Sequence, residues 1–110
     1  MVFHIAVSNF DDRLSNHGFI YPPKGWTLSP AYDLTPDPAG YGLKLNISET
    51  DNSLDFDLAL SITPYLGIKK DKAVAIVEQI KSVVAGWRKV ASRHGISNSE
   101  QDLVENAFRY

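Results

Sequence analysis

The stretch "NFDDRLSNHGFIYPPKGWTLSPAYD", residues 9–33, joins a polar octapeptide to two short apolar runs. The runs at 17–21 and 26–30 have the composition and length of short strands. "PPKG" between them predicts a tight turn, because Pro fixes φ and Gly tolerates a positive φ. We therefore expect a β-hairpin that returns the chain to its starting end and brings the residues just after 30 close to residue 16.

Three oxygen-bearing side chains in this stretch suggest a metal-phosphate site. Asp11 and Asn16 have the D-x-x-x-x-N spacing of the catalytic loop in protein kinases, where the Asp accepts the substrate hydroxyl proton and the Asn binds Mg²⁺. A kinase needs a second metal-binding Asp after a β-turn-β excursion, and the predicted hairpin delivers Asp33 there. We expect Asp11 to be the base, with Asp12 as its rival, and Asn16 and Asp33 to be Mg²⁺ ligands. On spacing alone the pattern is weak, because two common residues often occur at one spacing by chance, and a plain capping turn is the alternative for the octapeptide.

Composition narrows the class of protein. The 110 residues suit one small domain, and the absence of Cys excludes disulfides and thiolate metal sites and fits the cytosol. A net charge of -2 argues against a general nucleic-acid binder, and no apolar run is long enough to span a membrane. Residues 1–60 hold eight acidic and three basic side chains (-5), whereas residues 61–110 hold five and eight (+3). The acidic half suits a hard cation.

The chain divides into an irregular first half and a helical second half. Residues 1–8 are apolar enough for a short buried helix or a strand, and "LKLNI" at 43–47 alternates like a third strand. "LDFDLALSI" at 54–62 predicts a helix with Asn52 or Ser53 as N-cap and Asp55 in its first turn.

The clearest helix runs from about residue 70 to about residue 94, with apolar residues at steps of three and four. Trp87 is expected in the core, and Gly95 is expected to end the helix. A capping box of Ser97 and Glu100 then opens a last helix that ends near residue 108. The predicted fold class is α+β, predominantly helical.

The three His residues are assigned structural roles. His4 lies in an apolar run and is expected to be a hydrogen-bonded core residue. His17 stands beside a strand, where an isolated His is more often structural than a metal ligand. His94 is expected to be a cation at the end of the long helix.

The segments "VFHIAVSNFDDRLSNHGFIY" and "GWTLSPAYDLTP" resemble the C-terminal domain of HipA-type serine/threonine kinases, the toxins of bacterial HipBA toxin–antitoxin systems. The family pattern runs N-T-D-x-H-x-x-N-h-g-F and then L-x-P-x-Y-D. The matching residues here are Asn9, Asp11, Asn16, Phe19, Leu28, Pro30, Tyr32 and Asp33. "LDFDLALSITPYLGI" and "AVAIVEQIKSVVAGWRKVASRHGIS" are similar to the family's later helices, so the resemblance covers nearly the whole chain.

This resemblance implies a kinase C-lobe-like domain over 1–110, with the catalytic and metal loop and short strands in 1–50 and a helical bundle in 51–110. It implies that Asp11 is catalytic and that Asn16 and Asp33 bind Mg²⁺. The family transfers the γ-phosphate of ATP to serine. Its members phosphorylate themselves, some phosphorylate aminoacyl-tRNA synthetases, and a HipB-like antitoxin is the usual partner.

Two features depart from the family pattern. Its His and Thr near the catalytic Asp are Arg13 and Phe10 here, and an Arg at this place can pair with Asp11 or Asp12. Only ten residues precede Asp11, which leaves no room for a nucleotide-covering loop or a phosphate-binding Lys. We therefore expect a C-lobe without its N-terminal lobe, inactive alone, as a domain fragment, a split-kinase chain or a truncated gene product. The alternative is a non-catalytic module that docks antitoxin or substrate and has a degenerate metal site.

Overall fold

The computed structural model describes residues 1–110 and has the α+β, predominantly helical fold that the sequence predicts. In chain order the regular elements are α1 (Val2–Ala6), β1 (Phe19–Ile20), β2 (Thr27–Leu28), α2 (Phe56–Ser61), α3 (Lys70–Ala85), α4 (Trp87–Arg93) and α5 (Asn98–Val104). Short 3₁₀ turns occupy Leu14–Asn16 and Glu105–Ala107. None of the helices combines the length and the apolar content needed to cross a bilayer.

The short helix α1 is the centre of the core. A five-residue helix is not stable on its own, so its conformation depends on tertiary packing. Ile5 packs with Leu43, Ile47 and Ala59 in one buried cluster. The next two residues of the chain, Ala6 and Val7, pack with Val84 of α3 in a second cluster. The apolar start of the chain thus forms a buried helix, which settles the choice between helix and strand.

The predicted hairpin is present and short. β1 and β2 pair antiparallel, with Phe19 opposite Leu28 and Ile20 opposite Thr27. The turn closes with a hydrogen bond from Gly25 N to Pro22 O at 3.0 Å, and Gly25 has the positive φ of 102° for which Gly was expected there. The paired side chains are all exposed, so this hairpin contributes little to the core and instead determines where the chain returns.

The prediction of a third strand at 43–47 is wrong. Leu43 N donates to Asn52 O at 2.8 Å, and Ile47 N donates to Asp51 O at 2.8 Å. The backbone of this segment is therefore satisfied by the polar turn that follows it, not by a neighbouring strand. Leu43 and Ile47 are nevertheless buried, so the apolar residues reach the core from a series of bends.

The N-cap of α2 also differs from the prediction. Asp55 itself is the N-cap, and its carboxylate accepts a hydrogen bond from Asp57 N at 2.7 Å. Asn52 is not a cap because its side chain donates to Leu43 O at 2.6 Å. Asp and Asn are equally good N-caps, so sequence preference alone does not separate them.

The long predicted helix is divided at Gly86 into α3 and α4. Gly lowers helix stability by about 1 kcal/mol relative to Ala, which makes this position the weakest point of the apolar repeat. The predicted stop is confirmed, since Gly95 has φ 79° and Ile96 N donates back to Ala91 O at 3.1 Å. His94 is the exposed C-cap of α4.

The C-terminal segment returns to α1. The predicted capping box at Ser97 and Glu100 is present and opens α5. Phe108 stacks on the buried Trp87 with ring centroids 4.0 Å apart, and Arg109 N donates to Ala6 O at 2.8 Å. The core position predicted for Trp87 is thereby confirmed.

Candidate functional site

The hairpin brings Asn16 and Asp33 into contact. Asn16 Nδ2 donates to Asp33 Oδ2 at 2.8 Å and also lies 3.1 Å from the backbone oxygen of Asp11. Tyr32 OH donates to Ser15 O at 2.9 Å and holds the two arms of the loop together. The side chains of Asn16 and Asp33 therefore meet at the base of the hairpin, whereas Asp11 joins them through its backbone oxygen.

Asp33 is held in an uncommon backbone conformation. Its φ is 56°, in the left-handed region that Asp tolerates better than most residues. Asn9 Nδ2 donates to Asp33 O at 3.1 Å, and Asn9 is buried with 1% of its surface exposed. Ser8, the residue before Asn9, is also left-handed at φ 49° and fully buried. Backbone strain of this kind persists where the surroundings fix it and is concentrated at functional sites.

An open pocket of about 380 Å³ lies against these residues. Its lining consists of Asn9, Phe10, Asp11, Arg13, Asp33, Thr35, Asp37 and Lys44. Three carboxylates and two cationic side chains thus share one concave surface. The sequence did not predict that Lys44 and Asp37 line this pocket. Lys44 lies in the segment that was predicted to be a strand, and Asp37 lies between two Pro residues, where it suggests only a turn.

The carboxylate of Asp11 is paired with Arg13. Arg13 Nε donates to Asp11 Oδ1 at 2.6 Å. Of the two carboxylates with which this Arg was expected to pair, it therefore contacts Asp11 and not Asp12. The Arg13 and Asp11 side chains are 59% and 47% exposed, which makes the ion pair weak and easily exchanged. The Asp11 carboxylate therefore becomes accessible from the pocket when Arg13 moves aside.

Asp12 lies apart from this pocket. It is only 4% exposed, is absent from the pocket lining, and sits with Oδ1 3.5 Å from both His4 Nδ1 and His17 Nε2. Its burial makes it a poorer candidate than Asp11 for a base that must reach a substrate. The two imidazole rings stack with centroids 5.9 Å apart. His17, which the sequence presents as an isolated His, is thus part of a cluster that only the fold assembles.

The electrostatics of His4 follow from its surroundings. Burial lowers the pKa of His4 below the usual 6.5, the N-terminal amine and His17 lower it further, and Asp12 opposes them. His4 Nδ1 lies 3.4 Å from Asn9 Nδ2. Its expected place as a core residue with a polar neighbour is confirmed.

The pocket residues suit a hard cation with phosphate oxygens. Asp33 offers Oδ2, and the carboxylates of Asp11 and Asp37 line the same surface. Asn16 lines a neighbouring pocket of about 310 Å³ and not this one, and its amide presents its nitrogen to Asp33. Rotation about the terminal torsion of the Asn16 side chain would present Oδ1, and amide oxygens are among the hard ligands that suit such cations.

Comparison with known families gives one match, which covers most of the chain. The HipA-like C-terminal domain matches residues 1–87, a range that includes the hairpin, the pocket and helices α1 to α3. No curated protein and no solved structure matches significantly. The chain belongs to the family of HipA-like C-terminal domains.

Proposed function

We propose that this chain is the C-lobe of a HipA-like protein serine/threonine kinase, in which Asp11 is the catalytic base and Asn16 and Asp33 bind Mg²⁺ for ATP-dependent phosphoryl transfer. The observation that carries the proposal is the 2.8 Å contact between Asn16 and Asp33 beside a pocket that Asp11 also lines. Membership in the HipA-like family supports the same roles at these positions.

The main role of these residues is to position the cation and the serine hydroxyl for phosphoryl transfer. Bound Mg²⁺ supplies charge neutralisation for the phosphates. Asp33, which lines the pocket, and Asn16, which contacts Asp33, would hold the cation, while Asp11 would orient the attacking serine hydroxyl and accept its proton. Lys44 lines the same pocket and adds positive charge for a phosphate group.

The nucleotide needs a second lobe. We infer that the phosphate-covering loop and its Lys come from an N-terminal kinase lobe, in the same protein or in a separate chain, and that residues 1–110 alone are inactive. Exposed apolar side chains of the hairpin support a covering partner: Phe19 is 64% exposed and Leu28 is 63% exposed. The family context supports a cytoplasmic location, a HipB-like antitoxin and a protein substrate such as an aminoacyl-tRNA synthetase.

The test is a phosphoryl-transfer assay of this chain combined with its nucleotide-binding lobe, with radiolabelled ATP and Mg²⁺. Asp11→Asn is expected to lower autophosphorylation by about a thousandfold or more, because the hydroxyl loses its base. Asp57→Asn changes an exposed carboxylate on α2 that does not line the pocket and is expected to retain most activity. Equal activity of Asp11→Asn and the parent protein would refute the assignment of the base.

A second candidate is favoured by one observation. The Asp11 carboxylate is paired with Arg13 at 2.6 Å, and the family has His in place of this Arg. The alternative is a non-catalytic module that docks antitoxin or substrate. Complete absence of phosphoryl transfer in the two-lobed protein, with antitoxin binding retained, would favour this alternative.

A further inference from the structure

We propose that His4, Asp12 and His17 form a binding site for a transition-metal ion of the Zn²⁺ type, separate from the Mg²⁺ pocket. The three side chains come from α1, from the loop that follows it, and from the residue after the first 3₁₀ turn. Their nearest ligand atoms all lie within 4.8 Å of one another. Two imidazoles and a carboxylate are donors that suit Zn²⁺ better than Mg²⁺.

The buried Asp12 carboxylate is the observation that points to a ligand. Its side chain is 6% exposed, and its Oδ1 accepts no hydrogen bond from any group in the protein. A buried carboxylate oxygen without a donor is unfavourable, so such atoms in proteins are normally paired or bound to a metal. Oδ1 of Asp12 lies 3.5 Å from His4 Nδ1 and 3.5 Å from His17 Nε2.

The tautomer of His17 is fixed by its other nitrogen. His17 Nδ1 lies 2.9 Å from Arg13 O, and a carbonyl oxygen only accepts, so Nδ1 carries the proton. The neutral ring therefore presents the lone pair of Nε2 to Asp12. A His that donates one N–H to a backbone carbonyl and offers the other nitrogen is the usual arrangement of a metal-ligating His.

The contact with Asn9 likewise fixes which nitrogen of His4 carries the proton. Asn9 Nδ2, which is fixed by its bond to Asp33 O, lies 3.4 Å from His4 Nδ1 and can only donate to it. The unprotonated His4 Nδ1 also lies 3.5 Å from Asp12 Oδ1, so a metal ion bound to Nδ1 would replace its contact with Asn9. With these tautomers no proton lies between Asp12 Oδ1 and either nitrogen, so the acceptors repel one another, and a cation would relieve that repulsion.

The distances suit a tetrahedral ion. Ligand atoms about 2.0–2.1 Å from a tetrahedral metal are separated by about 3.4 Å. The two N–O distances of 3.5 Å agree with this separation. The two nitrogens lie within 4.8 Å of each other and must approach somewhat, which the partly exposed His17 allows by a small shift that keeps its bond to Arg13 O. A pocket of about 310 Å³ reaches both rings and gives access for the ion and for water as the fourth ligand.

Metal binding here would fasten α1, the loop that carries Asp11, and the start of the hairpin to one another. The experiment is calorimetric titration of the metal-free chain with Zn²⁺, supported by the visible absorption of Co²⁺ in tetrahedral sites. We expect one Zn²⁺ per chain and an increase in melting temperature with Zn²⁺ that equal Mg²⁺ does not produce.

Two variants test the ligands, and two serve as controls. His17→Gln and Asp12→Asn are expected to weaken Zn²⁺ binding by about tenfold or more and to abolish the Co²⁺ bands. His94→Gln, at the exposed end of α4, and Asp33→Asn, in the Mg²⁺ pocket, are expected to bind Zn²⁺ like the parent chain. His17→Gln keeps the proposal testable if Asp12→Asn fails to fold, because His17 is partly exposed. Unchanged binding in His17→Gln, or absence of Zn²⁺ binding by the parent chain, would overturn the site.

Discussion

Asn16 Nδ2 lies 2.8 Å from Asp33 Oδ2, although seventeen positions separate these residues in the chain. The short hairpin between them creates this proximity, and the hydrogen bond from Tyr32 OH to Ser15 O secures it. Asn9 fixes the backbone of Asp33 from the core side. The relative position of the two side chains is therefore held by structure outside the pair itself.

We predict that the chain alone binds Mg²⁺ weakly, with a dissociation constant on the order of millimolar, because Mg²⁺ retains several waters and normally takes phosphate oxygens as ligands. Asp33→Asn is expected to weaken binding further, whereas Asp57→Asn on α2 changes an exposed carboxylate away from the pocket and has no effect. Broadening of the Asn16 side-chain amide signal by Mn²⁺ in NMR spectra reports the site. Nucleotide-independent binding in the micromolar range would contradict the prediction.

Arg13 is predicted to restrain Asp11 without stabilising the fold. Because both side chains of the pair are about half exposed, Arg13→Ala should change the free energy of unfolding by less than about 1 kcal/mol. In the two-lobed kinase the same change should raise the rate of phosphoryl transfer by about two- to fivefold, since the Asp11 carboxylate is released. Lys24→Ala, which removes an exposed cation from the hairpin turn, is the matched control. A loss of activity in Arg13→Ala would instead assign Arg13 to substrate or phosphate binding.

The sequence predicted the hairpin, the capping box and the helical half because each depends on local chemistry. Pro and Gly in "PPKG" determine the turn, and Ser97 with Glu100 determines the start of α5. The meeting of Asn16 and Asp33 follows from the hairpin, which is why it could be anticipated before any coordinates. The roles of these residues in catalysis stay predictions.

Other features depended on packing across the chain. Alternation at 43–47 suggested a strand, but no strand edge lies beside it, and the polar turn that follows satisfies its backbone. The apolar repeat of the long helix did not reveal which side is buried: Val77 and Val84 are in the core, whereas Val83 is 69% exposed. His4, Asp12 and His17 show no recognisable spacing, so only the fold reveals their cluster.

Gly40 is predicted to be essential to the loop behind the pocket. A Cβ at this position would lie 2.8 Å from Ser8 O, a buried backbone atom that cannot easily move. Gly40→Ala should lower the free energy of unfolding by about 1–3 kcal/mol and weaken metal binding, because Ser8 precedes the Asn9 that holds Asp33. Urea unfolding gives the measurement.

Gly86→Ala is the matched control for this prediction. A Cβ at Gly86 meets only Val83 O, at 3.3 Å, and φ there is -83°, which Ala adopts readily. The better helix propensity of Ala and the tight contact with Val83 O oppose each other, so the unfolding free energy should stay within about 1 kcal/mol of that of the parent chain. Equal urea midpoints for Gly40→Ala and Gly86→Ala would show that the contact with Ser8 is unimportant.

The capping box of α5 gives a prediction with a defined pH dependence. Hydrogen bonds from the Ser97 side chain, and then from its backbone, hold the pKa of Glu100 below the usual 4.5. A carboxyl with a lowered folded-state pKa contributes stability that is present above its unfolded pKa and is lost as the pH falls through the folded value. Ser97→Ala should therefore be less stable than the parent chain by about 1 kcal/mol at neutral pH. The difference should shrink as the pH is lowered from about 6 to about 3, because protonated Glu100 no longer gains from Ser97.

Urea unfolding at each pH measures this difference, with Ser82→Ala, an exposed position on α3, as the control. Ser82 caps no helix, so its replacement should give a small change in unfolding free energy that does not vary with pH. A Ser97→Ala difference that stays constant down to about pH 3 would mean that the hydroxyl acts only as an acceptor for Glu100 N and not as a donor to the carboxylate.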